Sequence, residues 1–280
     1  MRREHRLDIM GETSYLHIDH VGEMQHCYGP RVHLLRDPLA LTWLARLCHP
    51  QCVQPEVNRL ISLLYRGLMR EVINRELPRR VVRSDTRMRE HTPLGVYEGQ
   101  IIDPSTEVTT VDIARAGILP SMVCFEALCE VLDPTRVRQD HILMNRLVND
   151  AAQVTGAGMF GRKIAGPVAG RTVLFPDPMG ATGGSLTEAI NFYLTELDGP
   201  PQHIFAINLM ITPEYIRKLM TSLPENVHIY AYRLDRGLSP ADVLADVPGA
   251  QWDRERGLTE HQYIVPGAGG MGEIMNNALT

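Results

Sequence analysis

Residues 171–197 read RTVLFPDPMGATGGSLTEAINFYLTEL, and the reading of this stretch decides the fold. Arg171-Thr172-Val173-Leu174-Phe175 is a short β-branched and aromatic run of the kind that forms a buried strand, and Pro176 and Pro178 keep the residues beside them extended. Asp177 stands at the strand's end. Met179-Gly180-Ala181-Thr182-Gly183-Gly184-Ser185 follows, after which Leu186, Ala189, Ile190, Tyr193, Leu194 and Leu197 recur at helical spacing. A strand therefore feeds a glycine loop, and the loop feeds a helix N-terminus.

That joint suits a phosphate monoester. Glycines let backbone N–H groups turn inward, Thr182 and Ser185 add hydroxyls, and the positive end of the helix dipole lies behind them. The loop has neither the Gly-Lys-Ser/Thr of a Walker loop nor the G-x-G-x-x-G of a dinucleotide fold. Asp177 is the discriminating residue, because a carboxylate beside a phosphate is repulsive unless it serves another part of the ligand. Ribose hydroxyls or a bridging Mg²⁺ are the natural choices, and a phosphorylated ribose meets both demands.

Outward from this unit, strands and helices alternate. Strands are expected at 108–113, 137–143, 203–211 and 227–232, and helices at 118–132 and 213–223. The alternation predicts an α/β fold, a parallel Rossmann-like sheet with helices on both faces and ligands at the carboxyl ends of its strands. Two further helices, 34–47 and 55–77, precede this core. Residues 79–103 read as a β-hairpin arm, and because Asp85 and Glu90 interleave with its arginines it is expected to be solvated or dimer-facing. The 147–170 connection carries five glycines around Arg162 and Lys163 and reads as a mobile hood with Lys163 as a phosphate contact. Residues 1–27 read as a loosely ordered extension to a single domain over 28–280, and 238–252 as an insertion between the near duplicates Asp235-Arg236-Gly237-Leu238 and Asp253-Arg254-Glu255-Arg256-Gly257-Leu258.

Composition narrows the class. With 280 residues, 44% of them apolar, the chain can build one full α/β core, and its net charge of -5 argues against nucleic acid as a partner. No apolar run reaches the length of a membrane span and the N-terminus lacks a signal-peptide core, so the cytoplasm is the expected location. The five cysteines are an odd number, and Cys48-His49-Pro50-Gln51-Cys52 lacks regular zinc spacing, so small buried thiols and no zinc are expected.

Asp177 through Ser185 resembles the phosphoribosyl pyrophosphate (PRPP) loop of the type I phosphoribosyltransferases, in the form found in uracil phosphoribosyltransferases. Ala114-Arg115-Ala116-Gly117 upstream and Tyr263-Ile264-Val265-Pro266-Gly267 downstream resemble that family in the same order, so the resemblance covers the chain from about Tyr28 to its end. It implies transfer of phosphoribose from PRPP to uracil, giving UMP and pyrophosphate, by a homodimer or higher homo-oligomer. Asp177 would hold the ribose and Pro178, Met179, Gly180, Ala181, Thr182, Gly183, Gly184 and Ser185 the 5′-phosphate. Arg115 and Arg146 would meet the pyrophosphate, and Tyr263, Ile264, Gly269, Gly270 and Met271 the pyrimidine base. Mg²⁺ would arrive with PRPP, with no metal held by the protein alone.

The chain departs from the family where Gly-Leu-Gly-Asp usually follows the proline. Gly267-Ala268-Gly269-Gly270 stands there instead, so the acidic residue is missing and either Glu273 reaches back or its role is lost. This keeps open a different nucleobase or analogue, and a non-catalytic PRPP or nucleotide sensor on the same fold. A partner-binding protein with a vestigial pocket is the third alternative, against which the intact 177–185 loop weighs.

Overall fold

The computed structural model describes residues 22–148 and 154–278. In chain order the first elements are β1 (Gly22–Glu23), β2 (Val32–Arg36), α1 (Pro38–Leu47), α2 (Glu56–Glu76), β3 (Arg79–Asp85), β4 (Val96–Ile102), β5 (Val108–Ala114) and α3 (Ile118–Cys129). Next come β6 (Val137–Val148), β7 (Val154–Lys163), β8 (Thr172–Pro176), β9 (Met179–Gly180), α4 (Gly184–Thr195) and β10 (His203–Ile211). The last are α5 (Pro213–Ser222), β11 (Val227–Leu234), α6 (Ala241–Ala245) and α7 (Met271–Met275).

The main sheet runs β1-β2-β11-β10-β8-β5-β6-β7, with β9 beside β10. The strands from β2 to β6 pair in parallel, and β1 and β7 add antiparallel edges. The central strands are buried almost end to end and mostly apolar, as parallel strands covered on both faces are. One face carries α1, α2 and α3, and the other carries α4 and α5. From β5 the chain winds outward to β6, whereas from β8 it winds the other way to β10 and β11. The order therefore reverses between β5 and β8, and a crevice opens there at the carboxyl ends of the strands.

Local sequence accounts for the element boundaries. Asp37 caps α1 by accepting from the amides of Leu39 and Ala40, with Pro38 at the first helical position. The same cap splits the expected 34–47 helix: residues 32–36 form β2, and the helix begins only at Pro38. Thr212 caps α5 in the same manner, again followed by a proline.

Two expectations need correction, and a third gains its structure. The 147–170 connection is not a free hood, because β7 pairs antiparallel with β6 from His141↔Lys163 to Val148↔Val154 as an edge hairpin. Glycine-rich strands hide their period from a hydrophobic reading, which is why the pairing was not expected; residues 149–153 lie outside the described residues. The ordered domain also begins earlier than residue 28. Gly22–Glu23 pairs with β2, Met24 is buried, and its N–H donates to Leu34 O at 2.8 Å, while residues 1–21 lie outside the described residues. Third, the 238–252 insertion is a closed excursion carrying α6. Leu238 N–H donates to Arg256 O at 3.0 Å and Arg256 N–H to Ser239 Oγ at 2.8 Å, so it leaves and returns at one point. Residues 79–102 form a two-stranded ribbon, β3 with β4, separate from the main sheet.

Candidate active site

β8 ends at Pro176, and the chain beyond it is fixed from beneath. Asn208 Nδ2 donates to Asp177 O at 2.7 Å, and Tyr215 Oη donates to Asn208 Oδ1 at 2.9 Å. The Asp177 carboxylate accepts from Met179 N–H at 3.0 Å and is only partly buried, so it is not sealed inside the core. The phenols of Tyr65 and Tyr215 are pushed well above the ordinary tyrosine value, chiefly by burial and then by the charge of Asp177. They remain protonated donors.

The 179–185 loop starts as β9, paired with Met210 and Ile211 of β10. Thr212 Oγ1 donates to Ala181 O at 2.6 Å and holds its middle. Gly183 then turns the chain into α4 with φ of +78°, a left-handed conformation in which a Cβ would also stand 2.7 Å from Leu219 Cδ1. Gly184 N–H makes only a long contact, 3.4 Å, with Thr182 Oγ1. Among the described residues the amides of Gly183 and Ser185 donate to no protein acceptor, and Thr182, Gly184 and Ser185 are all partly exposed. Gly183 itself is buried, so it is at the partly exposed Gly184 and Ser185 that the start of this twelve-residue helix could receive an anion.

On the other side of the crevice, β5 ends at Ala114 and the Ala114–Arg115 peptide bond is cis. Gly117 N–H returns to Ile113 O at 3.0 Å, and a Cβ at Gly117 would meet Ile113 N at 2.7 Å and Pro176 O at 3.1 Å. Glycine thus lets this turn lie directly against the end of β8. Arg115 is left half-exposed, within 3.3 Å of Glu273 Oε1.

The chain's last segment closes the remaining side. Gly267 is held by both of its backbone groups: its N–H donates to Asp235 Oδ2 at 2.8 Å, and its carbonyl accepts from Arg233 Nη2 at 3.0 Å. Arg233 and Asp235 are themselves paired through two hydrogen bonds of 2.5 and 2.7 Å. Burial alone would lower the Arg233 pKa, but the bonds and charge of Asp235 outweigh it and hold the guanidinium above its ordinary value. Gly237 N–H donates to Val265 O and Val265 N–H to Gly257 O, so both ends of the insertion support this segment.

A family model of uracil phosphoribosyltransferases matches residues 34–254, which hold both loops flanking the crevice. The chain belongs to the uracil phosphoribosyltransferase family. It is 28% identical over 236 residues to a uracil phosphoribosyltransferase of Dictyoglomus turgidum, covering 84% of this chain and 94% of that one. It is 29% identical over 248 residues to one of Nocardioides sp., covering 87% and 96%. The fold matches the structure of the AQ2163 protein from Aquifex aeolicus with a TM-score of 0.65 at 18% identity, over 89% of this chain and 99% of that one. The chain is thus a phosphoribosyltransferase, while the 263–272 segment lies beyond the residues that the family model matches.

Set against the uracil phosphoribosyltransferase pattern, the structure brings Asp177, the 179–185 loop, Arg115 and the 264–270 segment to one end of the sheet. The other expected positions need qualification. Met271 buries its side chain, at 1% exposure, in the core among α1, α2 and α3, which leaves only its backbone for a ligand. Tyr263 is 63% exposed, and Ile264 is half-buried in a bridge to Leu258. Lys163 is not brought to the site: it lines a surface cavity of about 470 Å³ with Phe192, Glu196 and Asp198, past the far end of α4 from the phosphate loop. Arg146 lies on β6, and its side chain is outside the described residues. Among the described residues no three His, Cys, Asp or Glu side chains group as a metal site requires, and no helix is long and apolar enough to cross a membrane.

Four supporting residues escaped the sequence reading: Asn208, Tyr215, Arg233 and Asp235. The signal available for the first was a lone amide inside the apolar run Ile204 to Ile211, which a buried strand accommodates only when that amide is fully hydrogen-bonded.

Proposed function

We propose that this enzyme joins uracil to C1′ of PRPP, releasing pyrophosphate and forming UMP. The observation that carries the proposal is the pair of loops across the β5–β8 reversal: open helix-end amides beside a carboxylate on one side, and a half-exposed arginine on the other. The amides of 183–185 take the 5′-phosphate, and Asp177 takes the ribose hydroxyls. Arg115, with Arg146, stabilises the charge that grows on the departing pyrophosphate, and Mg²⁺ arrives bound to PRPP as part of the substrate. No protein nucleophile is needed. The reaction is a displacement in which N1 of the base bonds to C1′ as the C1′–oxygen bond to pyrophosphate breaks, and positioning supplies most of the acceleration.

The base is read by backbone. Uracil presents an acceptor and a donor in fixed order along its O4 and N3–H edge, and cytosine reverses that order. Gly267 spends its own N–H on Asp235 and its carbonyl on Arg233, and the segment it makes rigid would offer the base one N–H and one carbonyl from neighbouring residues; such a segment accepts uracil, while cytosine leaves unsatisfied groups at about 1–3 kcal/mol each. Gly270, in place of the family's usual Asp, supports a second reading, the same transfer to another pyrimidine or analogue. The enzyme acts as a homodimer or larger homo-oligomer in the cytoplasm; the β3–β4 ribbon, with Val81, Leu94 and Tyr97 exposed, supports the first part.

Pyrophosphate release measured with PRPP, Mg²⁺ and each common nucleobase tests the reading. Uracil is expected to support turnover at least tenfold above the other bases, the size of one or two mispaired buried groups. Preference for another base would transfer the proposal to that base.

A further inference from the structure

The loop after β5 and the helix at the chain's end meet in one ion pair, Arg115 Nη2 with Glu273 Oε1 at 3.3 Å, and both side chains are exposed by nearly half. The second carboxylate oxygen of Glu273 lies against Gly270. A Cβ built on Gly270 would stand 2.6 Å from Glu273 Oε2, and Gly270 has φ of -80°, which any residue adopts. Glycine at this position therefore leaves the Glu273 carboxylate its present place, which a side chain there would displace. The base of the carboxylate's swing is fixed: Glu273 N–H donates to Gly270 O at 3.1 Å, and Gln54 and Asn58 of the α2 end bind the Met275 carbonyl at 2.8 and 3.3 Å. Only the Glu273 side chain can move readily.

A guanidinium already facing a carboxylate is partly neutralised before any ligand arrives. A half-exposed pair of this kind is weak and easily broken. A phosphate, by contrast, can engage the fork of the guanidinium through two charge-assisted bonds. A pyrophosphate beside Arg115 would both compete with Glu273 for the arginine and be repelled by the carboxylate.

We infer that Glu273 is a stand-in anion for pyrophosphate: it holds Arg115 across the mouth of the empty site, yields it when the pyrophosphate of PRPP arrives, and takes it back as free pyrophosphate leaves. Glu273 is a positioning residue acting through Arg115, and Gly270 makes the room for it. The inference rests on the transferase reading above and names the group that controls entry and exit at its anion subsite.

Calorimetric titration of the full chain with magnesium pyrophosphate, and separately with PRPP and Mg²⁺, tests it in wild type, Glu273→Gln, Gly270→Ala and Arg115→Ala/Glu273→Gln. Glu273→Gln is expected to bind pyrophosphate about two- to fivefold more tightly, the range of an exposed ion pair. Gly270→Ala, whose new methyl displaces the carboxylate without removing it, shifts affinity in the same direction by less. Without Arg115 the gain from Glu273→Gln disappears. A merely structural Glu273 would give unchanged or weaker binding in Glu273→Gln, and that result, with wild type binding normally, overturns the inference alone. Failure of wild type to bind either ligand overturns the transferase reading and the inference with it.

Discussion

In the proposed reaction Asp177 is the residue on which the chemistry turns, and it is held from both sides. Its partly buried carboxylate accepts from Met179 N–H, while its carbonyl is gripped by the fully buried Asn208. Asp177→Asn keeps the shape and the hydrogen bond to the loop but removes the charge, so steady-state kinetics should show turnover reduced well beyond tenfold with an unchanged melting temperature. An unchanged rate would refute the role. Asn208→Ala leaves the Asp177 carbonyl and the Tyr215 hydroxyl unpaired in the interior, at a cost of about 1–3 kcal/mol for each group. Urea unfolding should report that loss, and the KM for PRPP should rise because the loop loses its footing. At this scale Asp177 through Ser185 was legible because strand end, glycines and helix start are contiguous in sequence. Asn208 and Tyr215 were not, because their partners lie 31 and 7 residues away and only the fold brings the chain of bonds together.

At the scale of elements, the site depends on how the ends of β11 and β5 present their loops. The Arg233–Asp235 pair at the end of β11 clamps Gly267, and both side chains are largely or wholly withdrawn from water. Asp235→Asn leaves Arg233 without its buried counter-charge, and breaking such a pair costs about 3 kcal/mol. Denaturant unfolding should show that loss, and the KM for the base should rise more than the KM for PRPP, since the clamp serves only the closing segment. Equal increases would place Asp235 outside base recognition. The insertion has its own hub. Arg236 is wholly buried, bonds Glu255 at 2.7 Å and three carbonyls of residues 243–246, while Glu255 accepts from Tyr28 and Gly249. The near-duplicate runs around 235 and 254 therefore have a structural reason: both flank this hub, one supplying Arg236 and the other Glu255. Helices with a clear apolar stripe, such as α2 with Val57, Leu60, Ile61, Leu64 and Leu68 buried, were readable from spacing. β2 was not, because five residues ending at a helix cap give too short a period, and β7 was not, because its glycines erase the alternation.

At the scale of the molecule, the decisive feature is the reversal of strand order between β5 and β8, which no local pattern encodes; the alternation of strands and helices predicted the parallel sheet but not its order. Two half-buried histidines add a pH dependence. His26 and His228 are held below the ordinary histidine value, in both cases first by burial. They stay neutral in the fold and take up protons on unfolding, so stability is full above about pH 6.5 and is lost as the pH falls from there through their depressed folded values. Asp112, raised chiefly by burial, acts in the opposite sense but nearer the carboxylate range. The urea midpoint should therefore be lower at pH 5.5 than at pH 7.5, and His228→Phe, beside Phe205 and His33, should shrink the difference. Equal midpoints would remove the histidines from the account of stability. The β3–β4 ribbon stands apart from the main sheet with Leu94 87% exposed at its tip, and replacing it by a short linker should reduce the mass seen by light scattering if it joins the subunits. A mass lowered only by the deleted residues would remove the ribbon from any assembly.

The most direct measurement is a crystal structure of the full chain with PRPP and Mg²⁺. The 5′-phosphate should lie on the amides of 183–185, the ribose hydroxyls against the Asp177 carboxylate, and the pyrophosphate beside Arg115. A sugar phosphate bound elsewhere on the molecule, with Asp177 left facing only solvent, would contradict the site.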